Sequence, residues 1–143
     1  MQPTPSSSQP LGETAGESAV TLSLPARHEQ LPILRLLTEA VAMRNNCTLD
    51  QAADLKLAVD QIGTLLMSAA AENSALTCRY EQVNDTLETS LSALTVSSWE
   101  PERGSIEWRM LSALADSVSI SQHPTESGRA NESTVTVCTR KPA

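Results

Sequence analysis

The chain has 143 residues, a formal net charge of −7 and a sequence pI near 4.7. Hydrophobic residues make up 40% of it, enough for one globular domain, and the core must be aliphatic because the chain has no Phe, one Tyr and two Trp. The acidic balance argues against a nucleic-acid partner, since phosphate binding requires clustered Lys and Arg.

Membrane and targeting signals are missing from the sequence. No apolar window approaches the ~20 residues of a membrane span, and the first residues contain no basic segment followed by an apolar run. We therefore expect no signal peptide, no membrane partner and a cytoplasmic location.

Cysteines and histidines give no sign of a metal site. Cys47, Cys78 and Cys138 lie far apart and lack metal-ligand spacing, which favours reduced thiols in a reducing compartment. His28 and His123 show neither catalytic nor metal-binding spacing and are interpreted as surface residues.

The N-terminal part of the chain changes character at residue 20. Residues 1–19 are rich in Pro, Ser, Gln, Gly and Glu, so we predict a disordered tail there and a single domain over residues 20–143. Residues 20–24 alternate apolar and polar side chains, which predicts a short strand. A helix follows from residues 30–32, where proline is tolerated in the first turn. Its predicted apolar stripe consists of Ile33, Leu34, Leu37, Ala40 and Val41.

The longest helix signal covers residues 48–71. Thr48 and Gln51 have the spacing of a capping box at the helix N-terminus. Apolar side chains then recur at three- and four-residue steps, so one face must be buried against a sheet or other helices. This stretch is the predicted core helix. Its stripe consists of Leu55, Ala58, Val59, Ile62, Leu65, Leu66 and Ala69.

The second half of the chain contains a hairpin, a helix and two further strands. Residues 75–82 and 87–93 alternate around a short Asn-Asp turn, which predicts a β-hairpin. A helix is predicted after Gly104, and strands over residues 118–120 and 133–139. The resulting order, β-α-α-β-β-α-β-β, predicts an α/β two-layer sandwich with three helices packed on one mixed, largely antiparallel sheet. The buried face of the last helix is predicted to consist of Ile106, Met110, Leu111 and Leu114.

The core helix carries a family resemblance. Residues 54–70, DLKLAVDQIGTLLMSAA, resemble the N-box helix of the GHKL (Bergerat-fold) ATPases, in the version found in bacterial anti-sigma factors of the serine-kinase type. The pattern there is roughly DLKLAVSEACTNAVKHA. In that family the Glu is the general base and the Asn four residues later holds Mg²⁺ at the nucleotide phosphates. This chain has Gln61 and Leu65 at those positions.

Other nucleotide motifs of that family are also altered. The family places a D-x-G-x-G-like adenine box after the hairpin, whereas residues 92–99 contain neither Asp nor Gly. Residues 104–120 resemble the family segment GxGLxLIRxLMDEVxI but keep one of its glycines. The resemblance covers roughly residues 20–139.

These changes predict that the nucleotide chemistry is lost. Mg²⁺ requires hard oxygen ligands, which the Leu65 side chain lacks, and the Gln61 amide cannot act as a base in place of a carboxylate. We therefore predict no catalytic, cofactor-binding or metal-binding residue. Retained ATP and Mg²⁺ binding, with serine/threonine-kinase activity on an antagonist protein, is the alternative.

Arg35 is the predicted partner-binding residue. In the family an Arg of the first helix contacts the sigma factor and the antagonist, and an ungapped match from the core helix places it at Arg35. The residue lies off the Ile33/Leu37 stripe, so a solvent-facing position is expected. An ordinary solvated helix Arg is the competing interpretation.

The resemblance as a whole implies an anti-sigma factor. Such a protein regulates bacterial transcription by sequestering an alternative, stress- or sporulation-type sigma factor, and an anti-anti-sigma antagonist relieves it. Homodimerisation is implied in the same way. A scaffold or non-sigma regulator with the inherited fold is a third class of function.

Several residues in this frame are interpreted as structural. Asp54, Asp60 and Asp116 are read as solvated helix charges or caps. Trp99 and Trp108 flank the shortened lid region, and core or edge packing is favoured for them over a partner-facing role.

Overall fold

The computed structural model describes residues 19–140. The predicted tail lies outside these residues except for Ala19, as do the last three residues of the predicted domain. Within the described range the elements are β1 (Val20–Pro25), a one-turn 3₁₀ helix (His28–Gln30), α1 (Leu31–Arg44), α2 (Leu49–Ala69), β2 (Ala75–Val83), β3 (Thr86–Val96), α3 (Ile106–Leu114), β4 (Ser117–Pro124) and β5 (Ala130–Arg140).

The five strands form one sheet in the order β1-β2-β3-β5-β4. Each of the four neighbouring pairs in that sheet is antiparallel, so its described strands form an antiparallel rather than a mixed sheet. The predicted hairpin joins β2 to β3 through Asn84 and Asp85, and Asn84 adopts a positive φ of 56° that asparagine tolerates well in tight turns. The predicted two-layer architecture, with three helices packed on the sheet, is confirmed.

α2 is the central helix of the helical layer. Thr48 accepts a hydrogen bond from the Gln51 backbone N–H at 3.1 Å, and the Gln51 side chain accepts one from Thr48 N–H at 3.0 Å, so the capping box is confirmed. The helix contacts α1, α3 and strands β2, β3 and β5. The predicted stripe is buried apart from Leu65, which is partly exposed.

The buried face of α1 differs from the prediction by a rotation around the helix. Ile33 is 49% exposed and Ala40 is also exposed, whereas Thr38 is fully buried. Thr38 Oγ1 donates to the Leu34 carbonyl at 2.8 Å and lies 2.6 Å from the Tyr80 hydroxyl on β2. A hydroxyl satisfied in this way is buried at low cost, so a polar residue belongs to the stripe.

The predicted buried face of α3 is also corrected. Leu111 is fully buried and Leu114 partly so, but Ile106 is 70% and Met110 51% exposed. α3 has nine residues and packs against α2 and β4. So short a helix buries one face, formed by Leu111 with Trp108 and Leu114 partly buried beside it, while Ile106 and Met110 face outwards.

In residues 19–140, no helix combines the length and the apolar character needed to cross a membrane.

Candidate functional site

The outer sides of α1 and α2 are joined by two ion pairs. Arg35 Nη1 lies 2.6 Å from Asp60 Oδ1, and Lys56 Nζ lies 3.5 Å from Glu39 Oε2. Because Arg35 precedes Glu39 on α1 while Asp60 follows Lys56 on α2, the two helices run in opposite directions. Because the pairs are partly exposed, they contribute little to the free energy of unfolding, and their main effect is to fix the positions of the side chains.

Gly63 allows the two helices to approach closely. A Cβ atom at this position would lie 3.0 Å from Leu31 Cδ2 and 3.1 Å from Leu34 Cδ2. Both leucines are buried core residues of α1. The missing side chain of Gly63 therefore sets the spacing at which Arg35 reaches Asp60.

A shallow depression of about 330 Å³ lies over this helix pair, and we call it the Arg35 surface. It combines a cation, a carboxylate and exposed apolar side chains, since Leu36 is 69% exposed. Protein interfaces commonly show this mixture of an apolar centre and hydrogen-bonding charged groups. The depression is lined by Pro32, Arg35, Leu36, Glu39 and Lys56.

Arg35 and Asp60 differ in how they stand against their predictions: the solvent-facing position of Arg35 agrees with its exposure, whereas Asp60 needs correction. The Arg35 side chain is 40% exposed and hydrogen-bonded to Asp60, so it is a half-buried, oriented group rather than a freely solvated one. Asp60, predicted to be a solvated helix charge, is 34% exposed and paired with it. The periodicity of each helix alone does not predict how α1 and α2 are aligned, and this alignment brings the two residues together.

The other side of α2 faces a second depression, which we call the lid cleft. It has a volume of about 230 Å³ and lies between α2, the loop after β3 and the first turn of α3. Ser105 caps α3 by accepting a hydrogen bond from the Trp108 N–H at 3.2 Å. The cleft is lined by Leu65, Trp99, Glu100, Pro101, Glu102, Ser105, Glu107 and Trp108.

The lid cleft lies where the family resemblance would put nucleotide contacts, because Leu65 occupies the family's magnesium-ligand position. Three of the residues lining the cleft are exposed glutamates, and neither Lys nor Arg is among them. Phosphates require cations or clustered N–H donors, and carboxylates at the rim repel them. In residues 19–140, no group of three or more His, Cys, Asp or Glu side chains is arranged to hold a metal ion. These residues do not fit a magnesium nucleotide.

Gln61 and Leu65 remain one helical turn apart on α2, as the resemblance predicts. Asp60 cannot replace the missing base at position 61, because one residue along a helix is a rotation of about 100°. Asp60 instead turns towards α1 and binds Arg35.

The sequence interpretation missed that both tryptophans line the same cleft. The available signal was the density of Trp and Glu in residues 99–108, but that density does not say which helix they face. Arg103 carries its guanidinium carbon 5.8 Å from the centre of the Trp108 ring, a cation–π arrangement.

The three helices on a five-stranded antiparallel sheet form the two-layer architecture that the resemblance predicts, and α2 carries Gln61 and Leu65 at the two altered positions. No protein-family model matches the chain. Two curated relatives do: the anti-sigma-F factor RsbW of Mycobacterium tuberculosis strain CDC 1551 / Oshkosh and that of strain ATCC 25618 / H37Rv, each 35% identical over 107 residues. The 107 matched residues make up 75% of this chain and 64% of the length of each relative. These relatives confirm the predicted resemblance to anti-sigma factors of the serine-kinase type.

Proposed function

We propose that this protein is an anti-sigma factor that binds an alternative sigma factor and keeps it from the transcription machinery of a bacterial cytoplasm. Both relatives are named as anti-sigma-F factors, which describes an action against a sigma factor. The identity extends over 107 residues, and the residues replaced at the nucleotide positions leave protein binding as the better-supported activity.

The Arg35 surface supports this proposal most directly. A guanidinium has five N–H donors in a rigid fork, and Arg35 gives one of its groups to Asp60. Arg35 also lines a depression with exposed apolar side chains, where a carboxylate of a partner can bind the remaining donors in pairs. Asp60 then acts as a positioning residue, because its bond to Nη1 fixes the orientation of the fork.

A kinase reaction is the second function that the resemblance suggests. Leu65 provides no metal ligand, Gln61 provides no carboxylate base, and the lid cleft presents carboxylates where phosphates would lie. These observations favour binding without phosphoryl transfer. The proposed protein therefore needs neither ATP nor Mg²⁺ for its activity.

The resemblance also implies an antagonist protein that releases the sigma factor, and self-association as a homodimer. Both remain predictions. Light scattering after size-exclusion chromatography measures the second directly, since a dimer doubles the molar mass of 15.3 kDa calculated for the chain.

The test begins with affinity capture from the native cell and identification of the bound proteins. The captured sigma factor is then purified and titrated into the protein by calorimetry, without nucleotide. Saturable one-site binding supports the proposal. Captured partners that include no sigma factor, or a purified sigma factor that gives no heat of binding, would reject it and favour the scaffold or non-sigma class.

A further inference from the structure

The lid cleft has a chemistry of its own that the proposed function does not use. Its floor is apolar, formed by Leu65 and the two indole rings, and its rim carries Glu100, Glu102 and Glu107. The tryptophans are partly buried while the glutamates are exposed. An apolar and aromatic floor below a negatively charged rim is complementary to a cation with a flat or apolar body.

The chain itself shows that one of these rings accepts a guanidinium. Arg103 lies over the Trp108 ring with its guanidinium carbon 5.8 Å from the ring centre. Arginine is the protein cation most often found over tryptophan, because its weakly hydrated plane stacks on the aromatic face. This contact shows which class of group the Trp108 ring accepts, and an incoming guanidinium must take the place of Arg103 on that ring.

One feature of the cleft, the N-terminus of α3, favours an anion, but groups of the chain itself already complement its charge. The N-terminus of α3 opens at Ser105, where backbone N–H groups attract negative charge. The Ser105 hydroxyl accepts a hydrogen bond from the backbone N–H of Trp108, and the carboxylate of Glu107 lies in the first helical turn. The chain's own groups therefore complement this helix end.

The exposed face of α3 extends the site beyond one side chain. Ile106 is 70% and Met110 51% exposed, one helical turn apart, next to a cleft that Glu107 and Trp108 line. A free cation would leave these side chains in water, whereas a peptide would cover them with the residues that flank its arginine.

We propose that the lid cleft binds the arginine side chain of a basic, partly apolar peptide segment from a protein partner. The guanidinium displaces Arg103 from the Trp108 ring and is paired by the rim glutamates, and the flanking residues cover Ile106 and Met110. The inference does not depend on which sigma factor binds the Arg35 surface.

Tryptophan fluorescence provides the measurement, because both tryptophans of the chain line the cleft. The probe is the capped pentapeptide Gly-Leu-Arg-Leu-Gly. Its control contains citrulline instead of arginine, which has nearly the same shape but no charge. We expect saturable fluorescence changes with the arginine peptide and binding about tenfold weaker with citrulline, as one cation–π contact and exposed ion pairs would give.

Free arginine amide and MgATP distinguish the other sources of binding. Arginine amide should bind more weakly than the peptide, since it leaves the α3 face uncovered. Equal affinity of the two would contradict a peptide partner. A saturable response to MgATP in place of the arginine peptide would overturn the proposal.

Charge-neutral variants test the rim. Glu102→Gln and Glu107→Gln change exposed side chains and should leave folding intact, while each weakens the arginine peptide about two- to fivefold. Glu126→Gln makes the same change at an exposed position between β4 and β5, outside the cleft, and should have no effect. Equal losses at all three positions would indicate general electrostatic attraction and reject the site.

Discussion

The two long sides of α2 differ in how they treat charge. Towards α1, each charged side chain that joins the helices meets one of opposite sign, at 2.6 Å and 3.5 Å. Towards the lid cleft, three carboxylates share a rim and the helix contributes an apolar side chain. The same scaffold helix thus supports an oriented cation on one side and lacks phosphate-binding chemistry on the other. Retention of a fold does not imply retention of its reaction.

Removal of the oriented cation should have the largest effect. We expect Arg35→Ala to weaken sigma-factor binding about 30- to 1,000-fold, equivalent to about 2–4 kcal/mol, because a central interfacial arginine loses its partner carboxylates. Folding should change by less than about 1 kcal/mol, the usual value of a partly exposed ion pair. Calorimetric titration and thermal melting measure the two quantities separately.

Arg44→Ala is the control for this prediction. Arg44 is exposed in the last turn of α1 and carries the same charge. Its replacement should leave the sigma-factor affinity unchanged. Equal sigma-factor affinities of the Arg35 and Arg44 variants would contradict the proposal that the Arg35 surface binds the sigma factor.

Overpacking at Gly63 should separate the helices that form the Arg35 surface. We expect Gly63→Leu to destabilise the fold by about 2–3 kcal/mol, because its side chain would overlap Leu31 and Leu34. Urea unfolding measures the loss. Gly104→Leu is matched in volume but meets no atom within 4 Å of its Cβ, so it should be nearly neutral. A Gly63 variant as stable as the Gly104 variant would show that the helix spacing is not fixed here.

The core below α1 should make stability fall at high pH. Burial raises the pKa of the Cys78 thiol from 9.0 to about 12, and a hydrogen bond with Tyr80 acts in the opposite direction. Burial, and then the neighbouring Cys78, raise the pKa of the Tyr80 hydroxyl well above its ordinary value, although its bond to Thr38 lowers it. Above pH 9 the unfolded thiol loses its proton while the folded thiol keeps it. Stability should therefore fall by about 1.4 kcal/mol per pH unit for one such group.

Urea unfolding at intervals from about pH 8 to about pH 11 measures this slope, which approaches its full value about one pH unit above the unfolded pKa of 9.0. Cys78→Ala is expected to be less stable at every pH because it leaves a cavity, but to lose the part of the slope that Cys78 causes. Parallel slopes for the two proteins would show that this thiol does not contribute.

Restoration of the family residues on the other side of α2 should have the smallest effect. The double variant Gln61→Glu and Leu65→Asn should show no kinase activity, because the cleft rim and the missing adenine box are unchanged. The unmodified protein should bind MgATP with a dissociation constant weaker than ~100 μM, about 5.5 kcal/mol. Phosphorylated antagonist produced by the double variant, or tighter MgATP binding by calorimetry, would show that the nucleotide site is intact.

Local patterns made much of the fold predictable. The capping box of Thr48 and Gln51 and the apolar stripe of α2 act within one helix, and both are confirmed. The hairpin follows from alternation on both sides of an Asn-Asp turn. The predicted buried face of α1 was wrong because it left out Thr38. This residue is polar, but its hydroxyl is hydrogen-bonded to Tyr80, which lies 42 residues away in the sequence.

The candidate sites were less predictable because they depend on packing between elements. Periodicity gives the faces of α1 and α2 separately, but not the register that brings Arg35 to Asp60. It also gives no reason for Leu65 to meet Trp99 and Trp108. The resemblance provided Arg35 as a candidate, and the structure provided its orientation.

A calorimetric titration of the captured sigma factor into the protein, with and without MgATP, tests the central claim most directly. We expect the same one-site affinity in both titrations, because the proposed partner surface at Arg35 lies on the α1 side of α2 and the lid cleft offers carboxylates rather than phosphate-binding groups. Sigma-factor binding that requires MgATP, or that is absent under both conditions, would contradict it.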